Sequence, residues 1–366
     1  MITLESISNV VNPTLEPLTM ISSELQNKRK IASLLQSRIA CMSESFAAVN
    51  IDDGSILILG KLSKYQSELS KWKNFCSVAL GEKHIVGLRC DGSLVAVGKS
   101  DKLYNQCDVF NVTDAELIGC TSNENYFASK GTLLKTIKAS KYNPDKHCEN
   151  VFDHLRNYLE GVVQIATSGS HWAALKSDGT VFSESLQDFD YEEKNVTDNW
   201  TNIVQIACSS EAVFGLKRDG TVVFTAKDEK TKESLSYVLD WQNIVSIAAE
   251  SYFPGVMGLR SDGTVTGKKD WSDIVAIAGT WYWYGIDKNG VLYTTNSSIP
   301  SGKHTLTLFH DINNVEYEFE KSKEKGRANL KQAKEYIEKG LCQYCGGELT
   351  GILAKKCSNC GRKKDY

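Results

Sequence analysis

The most chemically suggestive residues stand near the end of the chain, at Cys342-Gln-Tyr-Cys345-Gly-Gly and Cys357-Ser-Asn-Cys360-Gly-Arg, with eleven residues between Cys345 and Cys357. A Cys-x-x-Cys turn can place two thiolates on one tetrahedral ion. Glycine after the second cysteine lets the backbone turn tightly beneath the sulfurs. Four thiolates at this spacing suit Zn²⁺, with Zn–S distances of about 2.3 Å. Cys342, Cys345, Cys357 and Cys360 are therefore the expected ligands, and zinc the expected cofactor. A segment of about 25 residues buries too little apolar surface to fold alone, so the metal would supply its folding energy. With all four positions held by protein the ion is structural rather than catalytic. The competing reading, a redox dithiol, lacks the adjoining βαβ unit of thioredoxin chemistry.

Elsewhere the chain is poor in catalytic patterns. His84 and His171 fall at matching places, in Gly81-Glu-Lys-His84 and Ser168-Gly-Ser-His171. Neither has a nucleophile or paired acid nearby in sequence, so each is expected to hydrogen-bond to backbone within its own repeat. No Gly-x-Ser-x-Gly is present. Ser301-Gly-Lys-His304 lacks the leading glycine of a phosphate loop and has His where that loop needs Ser or Thr. The expectation is a protein that is not an enzyme.

The rest of the chain must be read as repeats. Asp-Gly or a close relative recurs at Asp53-Gly54, Asp91-Gly92, Lys130-Gly131, Asp178-Gly179, Asp219-Gly220, Asp262-Gly263 and Asn289-Gly290, spaced 27 to 48 residues apart. Such pairs make tight hairpin turns. Apolar strands beginning at Ile39, Phe75, Leu117, Val162, Ile203, Ile244 and Ile274 precede them. Short strands follow, among them Thr221-Val-Val-Phe224 and Thr264-Val265. Each unit of three or four strands cannot bury both faces alone, so neighbours must stack. Seven units fit a closed ring, a seven-bladed β-propeller; a linear β-solenoid is the alternative.

The phrase W-x-(N/D)-I-V-x-I-A, followed by a histidine in some units and by L-x-x-D-G-T-V, resembles the repeat of the regulator of chromosome condensation family. Trp72, Trp200, Trp241 and Trp271 carry it, with the Asp-Gly turns. The resemblance covers roughly residues 36–300. The family's Gly-Gln-(Leu/Cys)-Gly phrase survives only as Asn105-Gln106-Cys107, and the third unit is degenerate. The resemblance implies an all-β propeller that binds protein partners, as family members do in exchanging guanine nucleotides on small GTPases or inhibiting β-lactamases. The cysteine-bearing tail resembles a zinc ribbon.

Four segments follow: an N-terminal segment with a helix (1–35), the propeller (36–310), a helical linker (311–340) and the ribbon (341–366). The first helix should begin at Ser22 or Ser23, run to about Gln36 and pack through Leu25, Ala32 and Leu35. The linker reads as a semi-rigid spacer, interrupted at Gly326 and capped by Gly340. His304 to Phe309, or else an N-terminal strand, is the candidate closing strand.

The start of the chain shows no basic segment leading into an apolar run, and no stretch is apolar for long enough to span a membrane. A cytoplasmic protein is expected, with scattered cysteines such as Cys41, Cys120 and Cys208 reduced. The net charge of −3 hides an asymmetry: residues 321–366 carry +7, leaving about −10 on the propeller. An acidic ring argues against general nucleic-acid binding by the propeller, while the basic tail keeps that open for the ribbon.

In a ring, the turns between first and second strands converge on one face. They contribute Glu82, Lys83, Glu124, Glu211, Tyr252, Phe253, Trp281 and Trp283, and aromatic residues with acidic neighbours are the composition of a protein-binding patch. Packing between blades is the equal alternative for these aromatics. The function expected is a protein-interaction module with the ribbon as an auxiliary docking element. A GTPase exchange factor, or a nucleic-acid-associated protein acting through the tail, are the alternatives.

Overall fold

The structure, a computed structural model, describes residues 23–99, 107, 109, 112–122, 125–129, 133–137, 160–168, 172–183, 197, 199–302, 304, 307–351 and 356–360. After helix α1 (Ser23–Gln36) come the strands β1 (Ile39–Met42), β2 (Ser45–Val49) and β3 (Ile56–Gly60), then the helical turn α2 (Gln66–Leu69). The next strands are β4 (Phe75–Leu80), β5 (His84–Arg89), β6 (Leu94–Gly98), β7 (Ala115–Cys120), β8 (Asn125–Ser129), β9 (Leu133–Ile137), β10 (Val162–Thr167), β11 (Trp172–Lys176) and β12 (Val181–Ser183). The ring continues with β13 (Ile203–Cys208), β14 (Ala212–Lys217), β15 (Val222–Ala226), helix α3 (Glu229–Leu235), β16 (Ile244–Ala249), β17 (Val256–Arg260), β18 (Ile274–Gly279), β19 (Trp283–Asp287) and β20 (Leu292–Thr294). Helix α4 (Val315–Glu338) and the short strands β21 (Leu349–Thr350) and β22 (Lys356–Cys357) complete the described chain.

Strands β1 to β20 form seven small antiparallel sheets in chain order. Their first strands touch in the sequence β1, β4, β7, β10, β13, β16, β18 and back to β1, which closes a ring and excludes the solenoid. The repeated phrase has a physical basis in backbone conformation and packing. Asn74, Asn202, Asn243 and Asp273 all take positive φ just before a first strand, a conformation that Asn and Asp tolerate best among residues with a side chain. The preceding Trp72, Trp200, Trp241 and Trp271 each lie against a glycine in the second strand: Gly87, Gly215, Gly258 and Gly285, where any Cβ would meet the indole at 2.8–2.9 Å. The Asp of each turn accepts from the Thr or Ser two residues on, as Asp219 does from Thr221 N at 2.9 Å and Oγ1 at 2.6 Å.

Blades are joined by glutamines in the first strands. Gln164 bonds Ile206 in both directions, donating to its O at 3.0 Å and accepting from its N at 2.9 Å, and Gln205 accepts from Ile247 N at 2.8 Å. Among the described residues the ring closes by packing and not by an exchanged strand; the alternative of an N-terminal closing strand, before Ser23, lies outside them. Phe46 of the first blade meets Tyr284 of the last at 5.1 Å in one apolar cluster with Leu308, Phe309, Val315 and Phe319. The segment expected to close the ring as a strand instead supplies Leu308 and Phe309 to this core and a bond from Ile51 N to Thr307 O at 2.7 Å.

Three further expectations are corrected. The third unit's first strand begins at Ala115 rather than Leu117. The sixth blade has two strands: after Asp262-Gly263, Thr266 turns inward to accept from Gly258 N through its hydroxyl at 2.8 Å, and Gly267 adopts positive φ, so Val265 makes only isolated bridges. The supposed spacer is a continuous helix laid on the ring, and Gly326 does not interrupt it. That glycine is buried where a Cβ would stand 2.5 Å from Cys90 Sγ. Gly340 does end the helix, with paired bonds from Gly340 N to Ile337 O and from Leu341 N to Tyr336 O.

Candidate interaction face and candidate metal centre

The ring has two faces of unlike character. One carries the Asp-Gly turns and the starts of the first strands, and both long helices lie on it. From α1, Arg29 donates to the carbonyls of Arg218 and Ile244, and Gln36 donates to those of Ile247 at 3.1 Å and Ile277 at 3.3 Å. Ala32 and Leu35 are its buried residues. Helix α4 crosses the first two blades. The Arg38 guanidinium sits 4.3 Å from the Phe319 ring centre. Ser322 Oγ donates to Ile51 O at 2.8 Å, Lys325 Nζ to Asp52 O at 3.1 Å and Asn329 Nδ2 to Asn74 Oδ1 at 3.0 Å. Lys334 pairs with Asp91 at 2.9 Å, and Lys30 of α1 with Glu316 of α4 at 2.6 Å.

The opposite face carries the turns between first and second strands. Phe253 and Trp281 are 60% and 45% exposed there. Half-buried Tyr252 meets the Trp281 ring edge-on at 5.1 Å. Its hydroxyl reaches Ser122 Oγ of the third blade at 3.1 Å and Ser43 Oγ of the first at 3.5 Å. The lengthened sixth-blade turn thus spans the mouth of the central cavity and holds Phe253 outward. The cavity has a volume of about 410 Å³ and is lined by first strands, with Gln36 at one end and Ser251 at the other.

Trp283 belongs to a different environment from Trp281. It is half-buried in the cluster between the sixth and seventh blades and lies against Gly279, whose Cβ would meet it at 2.5 Å. Strand alternation alone groups the two indoles; the turn geometry separates them. Glu211 pairs with Lys227 of its own blade at 3.3 Å. Glu82 donates its backbone N–H to Ser122 O at 3.4 Å, and Lys83 beside it is exposed. Glu124 lies outside the described residues, as does His171.

His84 corrects the expectation of a bond within its own blade. It is fully buried, and its Nε2 meets Asn125 Oδ1 of the next blade at 2.7 Å. Burial holds its pKa below the ordinary histidine value, partly offset by that bond. Among the described residues no carboxylate hydrogen-bonds its ring, and Asn125 Oδ1 also accepts from Cys120 Sγ at 3.2 Å. The role of His84 is to pin the second blade to the third.

At the end of α4, Cys342, Cys345, Cys357 and Cys360 bring their sulfurs within 4.8 Å of one another. Cys342 and Cys360 sulfurs are 3.6 Å apart, and those of Cys345 and Cys357 are 3.5 Å apart. Bonds of about 2.3 Å to one tetrahedral ion would set the edges at about 3.8 Å, so the set fits such an ion. The knuckle is built for sulfur. Gly346 N donates to Cys342 O at 2.8 Å, and Asn359 and Cys360 N–H groups point at Cys357 Sγ at 3.4 Å. Those backbone donors, Cys360's first, lower the Cys357 pKa to about 6. Gly347 leaves room for the sulfurs: a Cβ there would stand 2.9 Å from Cys357 Sγ. The α4 residue Tyr336 lies against Gly346, coupling helix to knuckle.

No known protein-family pattern matches the sequence, and no curated protein matches it. Among solved structures the chain is similar to the CRINKLY WD40 ectodomain of the Arabidopsis thaliana receptor kinase ACR4. That match has 14% identity and a TM-score of 0.44, covering 75% of this chain and 98% of that one. It is similar to the ectodomain of the Physcomitrella patens receptor kinase CR4 (9% identity, TM-score 0.47, 72% of each chain). It is also similar to Prp20p of Saccharomyces cerevisiae, a protein described by its binding to Gsp1p and histones (11% identity, TM-score 0.45, 75% of this chain and 84% of that one). The ring of seven sheets in this chain itself defines a β-propeller, here with a docked helical strap and a tetra-cysteine knuckle. No helix among the described residues is long and apolar enough to cross a membrane.

Proposed function

We propose that this protein is a non-enzymatic interaction module whose partner is a protein seated on the face opposite the two helices. One observation carries the reading: α1 and α4 cover the turn face, while Phe253 and Trp281 stand exposed together on the other. Large aromatics held rigidly at an open surface are the side chains that anchor protein interfaces. Here Tyr252 supplies the rigidity through its bonds across the ring. The tetra-cysteine knuckle holds a structural zinc ion, which Cys342, Cys345, Cys357 and Cys360 would ligate without an open position.

The test compares capture of host proteins by the wild-type chain, by a Phe253→Asp/Trp281→Asp double variant, and by Tyr317→Asp on the exposed side of α4. A protein retained by the wild type and Tyr317→Asp, and lost with the double variant, supports the open face. Retention by the double variant overturns it. Metal analysis of the purified chain should find a single zinc ion, absent from Cys342→Ser/Cys357→Ser; a zinc-free wild type would remove the cofactor.

A further inference from the structure

Arg38 is 1% exposed. Its nitrogens donate to Asn50 O at 3.3 Å and Ser322 Oγ at 3.4 Å, and its plane lies against Phe319. Among the described residues no carboxylate stands within ion-pairing distance. A buried cation without an anion is costly, and such groups are ordinarily paired. Its partner Ser322 lines a small cavity together with Cys90, and the residue before Arg38, Ser37, accepts at its O from Ser77 Oγ at 2.8 Å, next to Cys76.

These cysteines sit on the β4–β5 hairpin. Cys90 N bonds Asn74 O at 2.9 Å, which places Cys90 opposite a residue two before Cys76. Cys76 lies at the bulge between Phe75 and Ser77, with its Sγ 3.8 Å from Arg89 O. The two thiols are therefore diagonal neighbours on one surface of the hairpin, beneath α4. Cys76 lines the central cavity together with Lys323 of α4. Residues at the matching place in other blades, Glu116 and Val163, are solvent-exposed, so the cavity admits water. Three further thiols, Cys41, Cys120 and Cys208, line this cavity. Cys41 donates to Gly279 O at 3.1 Å, and burial raises its pKa to about 12, as it does that of Cys208; Cys120 is raised as well. Cys76 moves the other way, lowered by the Cys90 thiol, then by Lys323 and Arg38.

We propose that Cys76 and Cys90 form a peroxide-oxidisable dithiol, with Cys76 as the attacking thiolate held by Arg38 and Lys323 and Cys90 as the resolving thiol. The co-reactant is hydrogen peroxide or a small hydroperoxide. The Cys76 thiolate attacks one peroxide oxygen, the O–O bond breaks, and the departing oxygen takes up a proton to leave as water, or as an alcohol from a hydroperoxide. The sulfur is now a sulfenic acid. The Cys90 sulfur then attacks Cys76 Sγ, an S–S bond forms, and the sulfenic oxygen leaves as a second water carrying the Cys90 proton. Two thiols are oxidised by two electrons and one peroxide is reduced.

The experiment uses the full, zinc-loaded chain and about one equivalent of hydrogen peroxide, with the bond located by peptide mass mapping. The expected product has lost two hydrogens and links Cys76 to Cys90. In Cys90→Ser the expected product is a sulfenic acid on Cys76, trapped by dimedone. Before oxidation, Cys76 should alkylate about tenfold faster than Cys41 or Cys208, which share its cavity. Lys323→Gln, a helix-surface change that spares the buried arginine, should slow that labelling. Cys76 remaining reduced while tail cysteines oxidise, or labelling at the rate of Cys208, would overturn the proposal.

Discussion

The two faces of the ring are built from the same repeat and have opposite fates. On the turn face, carbonyls and Asp-Gly turns meet side chains from α1 and α4, and apolar groups such as Phe319 and Leu35 are fully buried. On the other face the described turns are bridged by Tyr252 and by the bond from Glu82 N to Ser122 O, and Phe253 and Trp281 stand exposed. Symmetry of the blades therefore does not make the faces equivalent. Segments outside the repeat decide which face is core and which is surface.

The largest effect should come from Phe319→Ala. It removes a side chain shared by the first and last blades and by Arg38, and should cost ~3–5 kcal/mol in denaturant unfolding. A loss below 1 kcal/mol would mean that α4 is not part of the ring's core.

Gly326→Ala distinguishes a docked helix from a free one by sign. On a free helix the change stabilises by up to ~1 kcal/mol. Here the new methyl meets Cys90 Sγ, and unfolding should show a loss of ~1–3 kcal/mol.

Smaller is the acid response of His84, which lies between the second and third blades. Its folded pKa is depressed, so the folded chain binds fewer protons than the unfolded chain just below the ordinary histidine value of about 6.5. Its contribution is complete above that pH and is lost as pH falls toward the folded value. Stability measured from pH 8 to 5 should fall less steeply in His84→Gln than in wild type; parallel profiles would contradict the burial. Smallest is Phe253→Ala, expected within ~0.5 kcal/mol of wild-type stability because that ring is in solvent. A larger loss would make the open face structural and remove its contrast with the other.

Much of the architecture could be read from residue patterns because the signals are local. Asp-Gly turns, the Trp-x-Asn-Ile phrase and period-two strands each act over a few residues and recur, and α1 is legible from its cap and apolar spacing. The four-cysteine cluster was legible for the same reason, since Cys-x-x-Cys places two sulfurs by backbone geometry alone. Trp283 was not, because alternation says which way a side chain points and not whether a neighbouring blade covers it. His84 had its partner misassigned, since Asn125 is 41 residues away and belongs to another repeat.

Charge pattern made α4 look like a spacer, for its sequence is rich in Lys and Glu and it contains a glycine. Its docking rests on contacts that composition does not encode: Gly326 against Cys90, Asn329 with Asn74 and Lys334 with Asp91. The contrast between the two faces likewise rests on α1 and α4, which occupy one of them. Local backbone preference, repeated seven times, was enough to specify blades. Closure of the ring, the covered face and the meetings of Arg38 with Phe319 and of Gly326 with Cys90 are long-range juxtapositions, set when chain segments far apart in sequence are brought together by packing.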